Sequence, residues 1–189
     1  MTMTLDLGGR TIVVRPFARS DLAAVARFAA GLPPHDLLFL SRDIQHSRVI
    51  DAWLGAVTAG ELDSLVALDG ERVVATTAVV RDPLGWSAHV AEIRLLVAPE
   101  MRGKGLGRRL LDASIALALD GGATKLMARM TPDQSGAITV FEEAGFRGEA
   151  LLRDQVRDRA GAFHDLAILS LDPARAAART EAFSASVAE

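Results

Sequence analysis

A β-rich run passes into a helical one across the segment VAPEMRGKGLGRRLL, which spans residues 97–111. Glycines alternate at positions 103, 105 and 107, and glycine lets the backbone approach a ligand closely and adopt turn conformations that a Cβ would block. The first amides of the following helix lack partners within it and lie at the positive end of its dipole. Lys104, Arg108 and Arg109 add cations at this end, where they are unfavourable unless an anion compensates them. The segment therefore predicts a binding site for a phosphate group.

Other interpretations of the same glycines fit less well. The Walker A motif requires Ser or Thr after its Lys, whereas Lys104 is followed by Gly105. The dinucleotide fingerprint requires Gly-x-Gly-x-x-Gly, which strict alternation does not match. A tight turn with solvated cations remains an alternative, as does a nucleic-acid contact through residues 102–109. The formal net charge of −3 and the lack of interleaved aromatic residues disfavour nucleic acid as a partner.

The composition predicts one folded domain. The chain has 189 residues, of which 50% are hydrophobic and 24% charged, enough apolar material for a single core. The absence of cysteine excludes disulfides, thiolate nucleophiles and sulfur-based zinc sites, and the four widely spaced histidines predict no metal site. No apolar run approaches the roughly 18 residues of a membrane span, and the N-terminus does not resemble a secretory signal. We therefore expect a cytoplasmic protein without a membrane partner.

Local patterns predict strands interleaved with helices, which is typical of a mixed α/β sheet. Asp69-Gly70, between two β-branched runs, is the strongest hairpin signal. Ser20 and Asp21 are predicted to cap the first helix, and the residues before Thr11 are predicted to be a short leader. Residues 1–172 are predicted to form the domain, followed by an Ala-rich tail or helix over 173–189. Strands are predicted over 11–17, 64–69, 72–81, 89–97, 125–130, 149–156 and 163–171, helices over 22–30, 49–60, 105–119 and 133–144, and a packed loop or short helix over 31–47.

The run Arg102-Gly103-Lys104-Gly105-Leu106-Gly107 resembles the signature of the GNAT family of N-acetyltransferases: Arg or Gln, two residues, Gly, one residue, then Gly or Ala. The likeness extends upstream over residues 91–100 and downstream to Ala137 and residues 140–146, which resemble the family's second motif. The predicted element order fits from about Thr11 to Leu171. The resemblance implies an α/β fold with a mixed, mostly antiparallel sheet flanked by helices. It also implies a cofactor cleft where two central parallel strands splay apart.

The same resemblance implies an acyltransferase that moves an acetyl group from acetyl-CoA to a primary amine by direct attack in a ternary complex. A non-catalytic acyl-CoA sensor or regulatory module is the alternative. The family often forms dimers, so a homodimer is a further expectation. The pyrophosphate is implied to lie on the amides of residues 102–108, and the pantetheine arm to pair with the backbone of residues 95–97. The implied cofactor-binding residues are Leu95, Leu96, Val97, Arg102, Gly103, Lys104, Gly105, Leu106, Gly107, Arg108, Gln134 and Phe141.

Strand alternation places Glu92 and Arg94 on the same face. In several branches of the family that this chain resembles, a carboxylate at this point serves as general base, usually through water. A structural ion pair between Glu92 and Arg94 is the alternative, and both stay open. The family often has a tyrosine as general acid where this chain has Phe141, and the chain contains no tyrosine. Water, Ser135 or a substrate group is then left to protonate the leaving thiolate.

The sequence leaves the acceptor amine open. Candidate walls of its site are residues 33–47, the loop around Trp86, and the final hairpin near His164. Five polar residues of the first wall are candidates for contact with a polar substrate, with a solvated surface as the alternative: His35, Asp36, Arg42, Asp43 and His46.

Overall fold

A computed structural model describes residues 2–174 of the chain. Strands are interleaved with helices along it, as the sequence predicts. Their order is β1 (Met3–Asp6), β2 (Thr11–Pro16), α1 (Leu22–Ala30), α2 (Ser47–Thr58), β3 (Leu62–Asp69), β4 (Arg72–Val80), β5 (Val90–Val97), α3 (Leu106–Asp120), β6 (Lys125–Met130), α4 (Ser135–Glu143), β7 (Arg147–Arg157) and β8 (Phe163–Leu171).

These strands form one eight-stranded sheet in the order β1-β2-β3-β4-β5-β6-β8-β7. Neighbouring strands are antiparallel throughout, except that β5 and β6 are parallel. A parallel pair needs a crossover connection, and α3 supplies it between these two strands. The predicted α/β fold with a mostly antiparallel sheet flanked by helices is therefore confirmed.

The expectation of a short leader before Thr11 is wrong. Met3–Asp6 forms β1, which pairs antiparallel with β2 from Met3 opposite Val14 to Asp6 opposite Thr11. Gly8 and Gly9, both at positive φ, make the turn between the two strands. Such a short strand carries too few alternating positions for periodicity to detect it.

The predicted capping by Ser20 and Asp21 is also wrong in its chemistry. Asp21 occupies the N-cap position of α1 but makes no capping hydrogen bond to that helix. Its carboxylate accepts two hydrogen bonds of 2.7 Å from the guanidinium of Arg15 and one of 2.9 Å from the amide of Ala18. These bonds hold the pKa of the buried Asp21 carboxyl below its ordinary value, although burial opposes them. The Asp21 side chain, which the local pattern predicts to cap α1, is thus bound instead by Arg15, six residues before it.

The two faces of β5 pack against different helices. Ile93 is buried in a cluster with Leu111 of α3, whereas Leu96 is buried in a cluster with Val25 of α1 and Leu54 of α2. This division follows the period-two alternation of a strand. Even-numbered β5 residues, Glu92 among them, therefore lie on the face opposite the one that carries Ile93.

Membrane-spanning helices and metal-holding clusters can be searched for only in the described part of the chain. None of the helices within residues 2–174 is both long and apolar enough to cross a membrane. The same residues contain no group of three or more His, Asp or Glu side chains arranged to hold a metal ion. The predicted Ala-rich tail lies outside the described residues from position 175 onward.

Candidate active site

The parallel strands β5 and β6 separate part of the way along their length. They pair only at Val90 with Lys125, Ala91 with Leu126, and Glu92 with Met127. Strand β5 nevertheless stays paired with β4 on its other side as far as its last residue. Residues 93–97 therefore present to the gap between β5 and β6 a backbone edge that pairs with no strand, and the carbonyl of Val97 there accepts a hydrogen bond of 3.2 Å from Arg102 Nε. This gap is the splay that the resemblance implies, and Leu95, Leu96 and Val97 lie along it.

The glycine loop follows this edge directly. Gly103 and Gly105 have φ of +69° and +83°, a left-handed conformation that favours glycine. Gly105 is the N-cap of α3 and provides no side-chain cap. The amide of Arg109 donates to the carbonyl of Gly105 at 3.2 Å, which is the first i to i−4 bond of α3. The amides of residues 105–108 precede this bond and have no partner within the helix, so they remain available to an anion.

The first turn of α3 packs against the end of β5. A Cβ on Gly107 would lie 3.7 Å from Val97 Cγ2 and 3.8 Å from Leu95 Cδ2, so the helix approaches the strand closely here. Leu106 is fully buried, whereas Lys104 and Gly105 are exposed. Leu106 therefore fixes the loop to the core, while the exposed Lys104 and Gly105 lie beside the gap between β5 and β6.

The cations of this loop differ in their partners. Arg102 donates to Asp36 Oδ2 at 2.5 Å, and Arg108 pairs with Asp112 one turn along α3 at 2.9 Å. Two further cations form no ion pair within residues 2–174: Lys104 and Arg109.

Glu92 lies between two guanidinium groups. Arg94 donates from Nε to Glu92 Oε1 at 2.9 Å and from Nη2 to Oε2 at 3.3 Å. Arg129 donates from Nε to Oε1 at 3.2 Å and from Nη2 to Oε2 at 2.5 Å. Burial raises the pKa of the Glu92 carboxyl, but the bonds from both arginines outweigh burial and leave that pKa below its ordinary value. The structure thus contains the ion pair between Glu92 and Arg94 and a second ion pair between Glu92 and Arg129.

Sequence reasoning did not identify Arg129. Alternation along β6 places Lys125, Met127 and Arg129 on one face. The register of β5 against β6 then brings Arg129 within reach of Glu92. Alternation is readable from sequence, but the register of a parallel pair is not, because it is set by the crossover helix and the packing around it.

Two of the three predicted acceptor walls come together. His35 Nε2 lies 2.7 Å from Asp133 Oδ2, just before α4, and the rings of His35 and His164 meet edge to face at 5.1 Å. Asp43 pairs with Arg159 of the final hairpin at 2.5 Å. Residues 33–47 and the β7–β8 hairpin therefore form one wall.

The third predicted wall does not join them. Trp86 is fully exposed, and the loop that carries it precedes β5, at the end of that strand opposite the glycine loop. Among the remaining polar candidates, Arg42 and His46 are exposed.

A cavity of about 420 Å³ opens between α2 and the sheet. Arg94 and Leu96 of β5 form part of its floor, and Trp53 of α2 forms part of its opposite side. Ser41, at its edge, accepts a hydrogen bond of 3.0 Å from Arg94 Nη2. The cavity therefore reaches β5 beyond Glu92, where the strand no longer pairs with β6.

The second predicted motif, Ala137 and residues 140–146, lies along α4 and just after its end, and Gln134 lies at the start of that helix. Gln134 is the N-cap residue of this helix, and its Oε1 accepts the amide of Thr131 at 3.2 Å. Phe141 is buried and packs edge to face on Phe146 at 5.0 Å. Ser135, the first residue of the helix, is exposed.

The chain matches the model of the Acetyltransferase (GNAT) family over residues 34–146, more than half of its length. Its fold is similar to that of yncA, a putative acetyltransferase from Salmonella typhimurium solved with its cofactor acetyl-CoA. That match has 22% identity and a TM-score of 0.73, and covers 85% of this chain and 93% of the other. The GNAT domain of S. lividans PAT matches with 21% identity and a TM-score of 0.74, over 90% of this chain and 96% of that domain.

A third solved structure extends the comparison to a polyamine enzyme. Spermidine N-acetyltransferase from Vibrio cholerae, in complex with CoA and spermine, matches with 15% identity and a TM-score of 0.72, over 87% of this chain and 97% of that one. At these sequence identities, the similarity to the three solved structures shows the fold of this chain alone.

Proposed function

Because this chain belongs to the GNAT family of acetyltransferases, we propose that it transfers an acetyl group from acetyl-CoA to a primary amine by direct attack in a ternary complex. One observation carries the proposal: the unpaired edge of β5, residues 93–97, leads directly into a glycine loop whose amides have no partner within α3. An extended thioester arm can pair with such an edge while its phosphates bind the loop.

The residues of the loop fit a pyrophosphate. A Cβ on Gly103 or Gly105 would meet nothing within 4 Å, so the space in front of both residues is open to a ligand. Phosphate oxygens accept hydrogen bonds from backbone amides at a helix N-terminus. Lys104 and Arg109 add charge without an ion-pair partner in the described structure. We assign the pyrophosphate to the amides of residues 102–108, with Arg102 able to exchange Asp36 for a phosphate.

The pantetheine arm is assigned to the backbone of Leu95, Leu96 and Val97, where strand-like hydrogen bonds make side-chain identity unimportant. Gln134 lies at the start of α4 and is proposed to contact the same arm through its amide. Phe141 is proposed to act by packing, since its ring is buried against Phe146. Bound acetyl-CoA supplies the activated acyl group, whose carbonyl carbon accepts the amine nitrogen as the thiolate leaves.

Glu92 is proposed to position the two arginines beside it. Both carboxylate oxygens are engaged by guanidinium donors, and a lowered pKa makes a carboxylate a weaker base. These observations favour the ion-pair role over that of a general base acting through water. Proton transfer to the leaving thiolate is assigned to water or to the exposed hydroxyl of Ser135, since Phe141 has no proton to give.

Acetyl transfer can be tested directly by mixing the purified chain with acetyl-CoA and a panel of primary amines. We expect thiol release that depends on both the protein and an amine, together with an acetylated amine detected by mass spectrometry. The sensor alternative predicts saturable acetyl-CoA binding without thiol release for any amine. That second result would leave the chain a CoA-binding module.

Three further proposals rest on sequence features and on the family. They are a single domain over residues 1–172, a cytoplasmic location and a homodimer. The first is supported by the sheet, whose strands run from Met3 to Leu171 without a break into a second sheet in the described residues.

A further inference from the structure

Positive charge exceeds negative charge where β5 leaves β6. Glu92 is one carboxylate held by two guanidiniums, Arg94 and Arg129. The three side chains are only 13%, 23% and 32% exposed, respectively. The cluster therefore carries one net positive charge in partly buried surroundings, where such a charge is costly unless an anion compensates it.

This cluster also retains unused donors. All four of its internal bonds come from Nε and Nη2 of the two arginines. The Nη1 groups of Arg94 and Arg129 make no hydrogen bond within residues 2–174. At Arg94 only Nη1 is unused, because Nη2 donates to both Glu92 and Ser41. Arg129 keeps its Nη1–Nη2 edge, whose two donors match the two oxygens of a planar carboxylate.

Arg94 joins this cluster to the cavity under α2, since the same side chain lines both. Arg42 lies at the cavity edge, exposed and without an ion pair in the described structure, and Glu61 is the carboxylate that lines it. The remaining lining is largely apolar, as in Leu40, Ile44, Val49, Trp53, Val80 and Leu96.

Other carboxylates near this region have cationic partners of their own. Asp36 is paired with Arg102 and Asp43 with Arg159. The indole N–H of Trp53 is a further donor, buried without an acceptor in the described residues. Around the cavity and the cluster, the guanidiniums of Arg42, Arg94 and Arg129 therefore outnumber the carboxylates.

We propose that the acceptor is a primary amine that carries a carboxylate on an apolar body, an inference that rests on the proposed acetyltransferase function. The apolar body occupies the cavity under α2, whose volume of about 420 Å³ is in the range of small-molecule sites. The carboxylate is bound by the Nη1–Nη2 edge of Arg129 and by Nη1 of Arg94, with Arg42 at the entrance. A polyamine would bring several positive charges to a site that already has an excess of them.

The same arginines assist the reaction. Nearby positive charge lowers the pKa of an ammonium group, so more of the acceptor is a neutral amine, and its proton passes to water. The nitrogen lone pair then forms the bond to the acetyl carbon. The carbon–sulfur bond breaks, its electron pair goes to sulfur, and one proton leaves the nitrogen as the thiolate gains one. The products are an amide and the CoA thiol, so no oxidant or further reactant is required.

Matched acceptors test the proposal in the acetyl-CoA assay. Phenylalanine is compared with 2-phenylethylamine, and leucine with 3-methylbutylamine, because each pair differs by the carboxylate alone. We expect kcat/KM to be at least 10-fold higher for the carboxylate-bearing member of each pair. Arg42→Ala is expected to reduce that preference several-fold through KM, whereas Arg48→Ala, an exposed α2 arginine that does not line the cavity, should leave it unchanged.

A binding measurement separates this inference from the proposed function. Trp86→Phe removes the exposed one of the two tryptophans, so that Trp53 in the cavity becomes the fluorescent reporter. We expect N-acetylphenylalanine to change this fluorescence at concentrations at least 10-fold below those needed for N-acetyl-2-phenylethylamine.

Equal binding of these two compounds, or preferred acetylation of spermidine or of a carboxylate-free amine, would overturn the inference while leaving acetyl transfer in place. Discrimination in binding without any acetyl transfer would instead overturn the proposed function alone.

Discussion

Gly105→Glu is expected to weaken acetyl-CoA binding by at least 100-fold while the chain still folds. The substitution puts a carboxylate at the N-cap of α3, where the amides and the helix dipole are proposed to hold the pyrophosphate. A loss of this size is about 2.7 kcal/mol of binding free energy. The fold should tolerate it because the residue is exposed and its Cβ would meet nothing within 4 Å. The positive φ adds a backbone cost of roughly 1–2 kcal/mol. Isothermal titration calorimetry gives the affinity.

A matched control separates the charge from the backbone strain. Gly60 also has a positive φ, is exposed, and has open space around its Cβ position. Gly60→Glu should therefore lose a similar amount of stability and keep its affinity for acetyl-CoA. Gly105→Asn, which tolerates the left-handed conformation without adding charge, should bind with intermediate affinity. Unchanged affinity in folded Gly105→Glu would contradict the placement of the pyrophosphate.

Glu92→Gln is expected to reduce the free energy of unfolding by about 2 kcal/mol at neutral pH, since removing the carboxylate from a partly buried ion pair leaves uncompensated charge. Here two guanidiniums, those of Arg94 and Arg129, would face a neutral amide. Urea denaturation measures the change. Glu143→Gln removes an exposed carboxylate of α4 and should change stability by less than about 0.5 kcal/mol.

The pH dependence of this loss has a definite sign. The pKa of Glu92 in the folded chain is lowered from an ordinary value of 4.5, so its ionised form stabilises the fold above that pH. The contribution disappears as the pH falls below 4.5 and through the folded pKa, where the carboxyl becomes protonated. We therefore expect the stability difference between the unsubstituted chain and Glu92→Gln to be constant above pH 6 and to shrink under acid conditions.

Kinetics of the same variant separates the two roles of Glu92. If the carboxylate positions Arg94 and Arg129, Glu92→Gln should raise KM for the amine and leave the acidic limb of the pH–rate profile in place. A general base would instead make kcat fall by a factor of about 10² or more, with loss of that limb. The second pattern would assign the base role to Glu92.

The order of elements and the location of the cofactor loop could be predicted from sequence because both depend on local signals. Residues 97–111 combine a strand end, alternating glycines and a helix start within one segment. The Asp69-Gly70 turn likewise joins β3 and β4, with Gly70 at a φ of +59°. Such features need no knowledge of distant neighbours.

The surroundings of Glu92 could not be predicted in full because they depend on long-range register. Arg129 lies 37 positions away and reaches Glu92 only through the pairing of β5 with β6. The excess of positive charge there is invisible in a chain whose overall charge is −3. The missing cap at Asp21 has a nearer origin, since Arg15 at the end of β2, only six positions before it, binds the carboxylate. Where a side chain has several possible partners, tertiary packing decides which of them it binds.

Thermal unfolding with and without acetyl-CoA tests most directly whether this chain binds the acetyl donor. Ligand at 100 times its dissociation constant adds about 2.7 kcal/mol to the stability of the folded state. For a chain of this size, we expect the midpoint to rise by roughly 5–10 °C. At the same acetyl-CoA concentration the rise should fall to about 1 °C or less in Gly105→Glu and remain in Gly60→Glu. A well-folded protein whose unfolding midpoint does not move with acetyl-CoA would contradict the assignment of the glycine loop and the β5 edge to this cofactor.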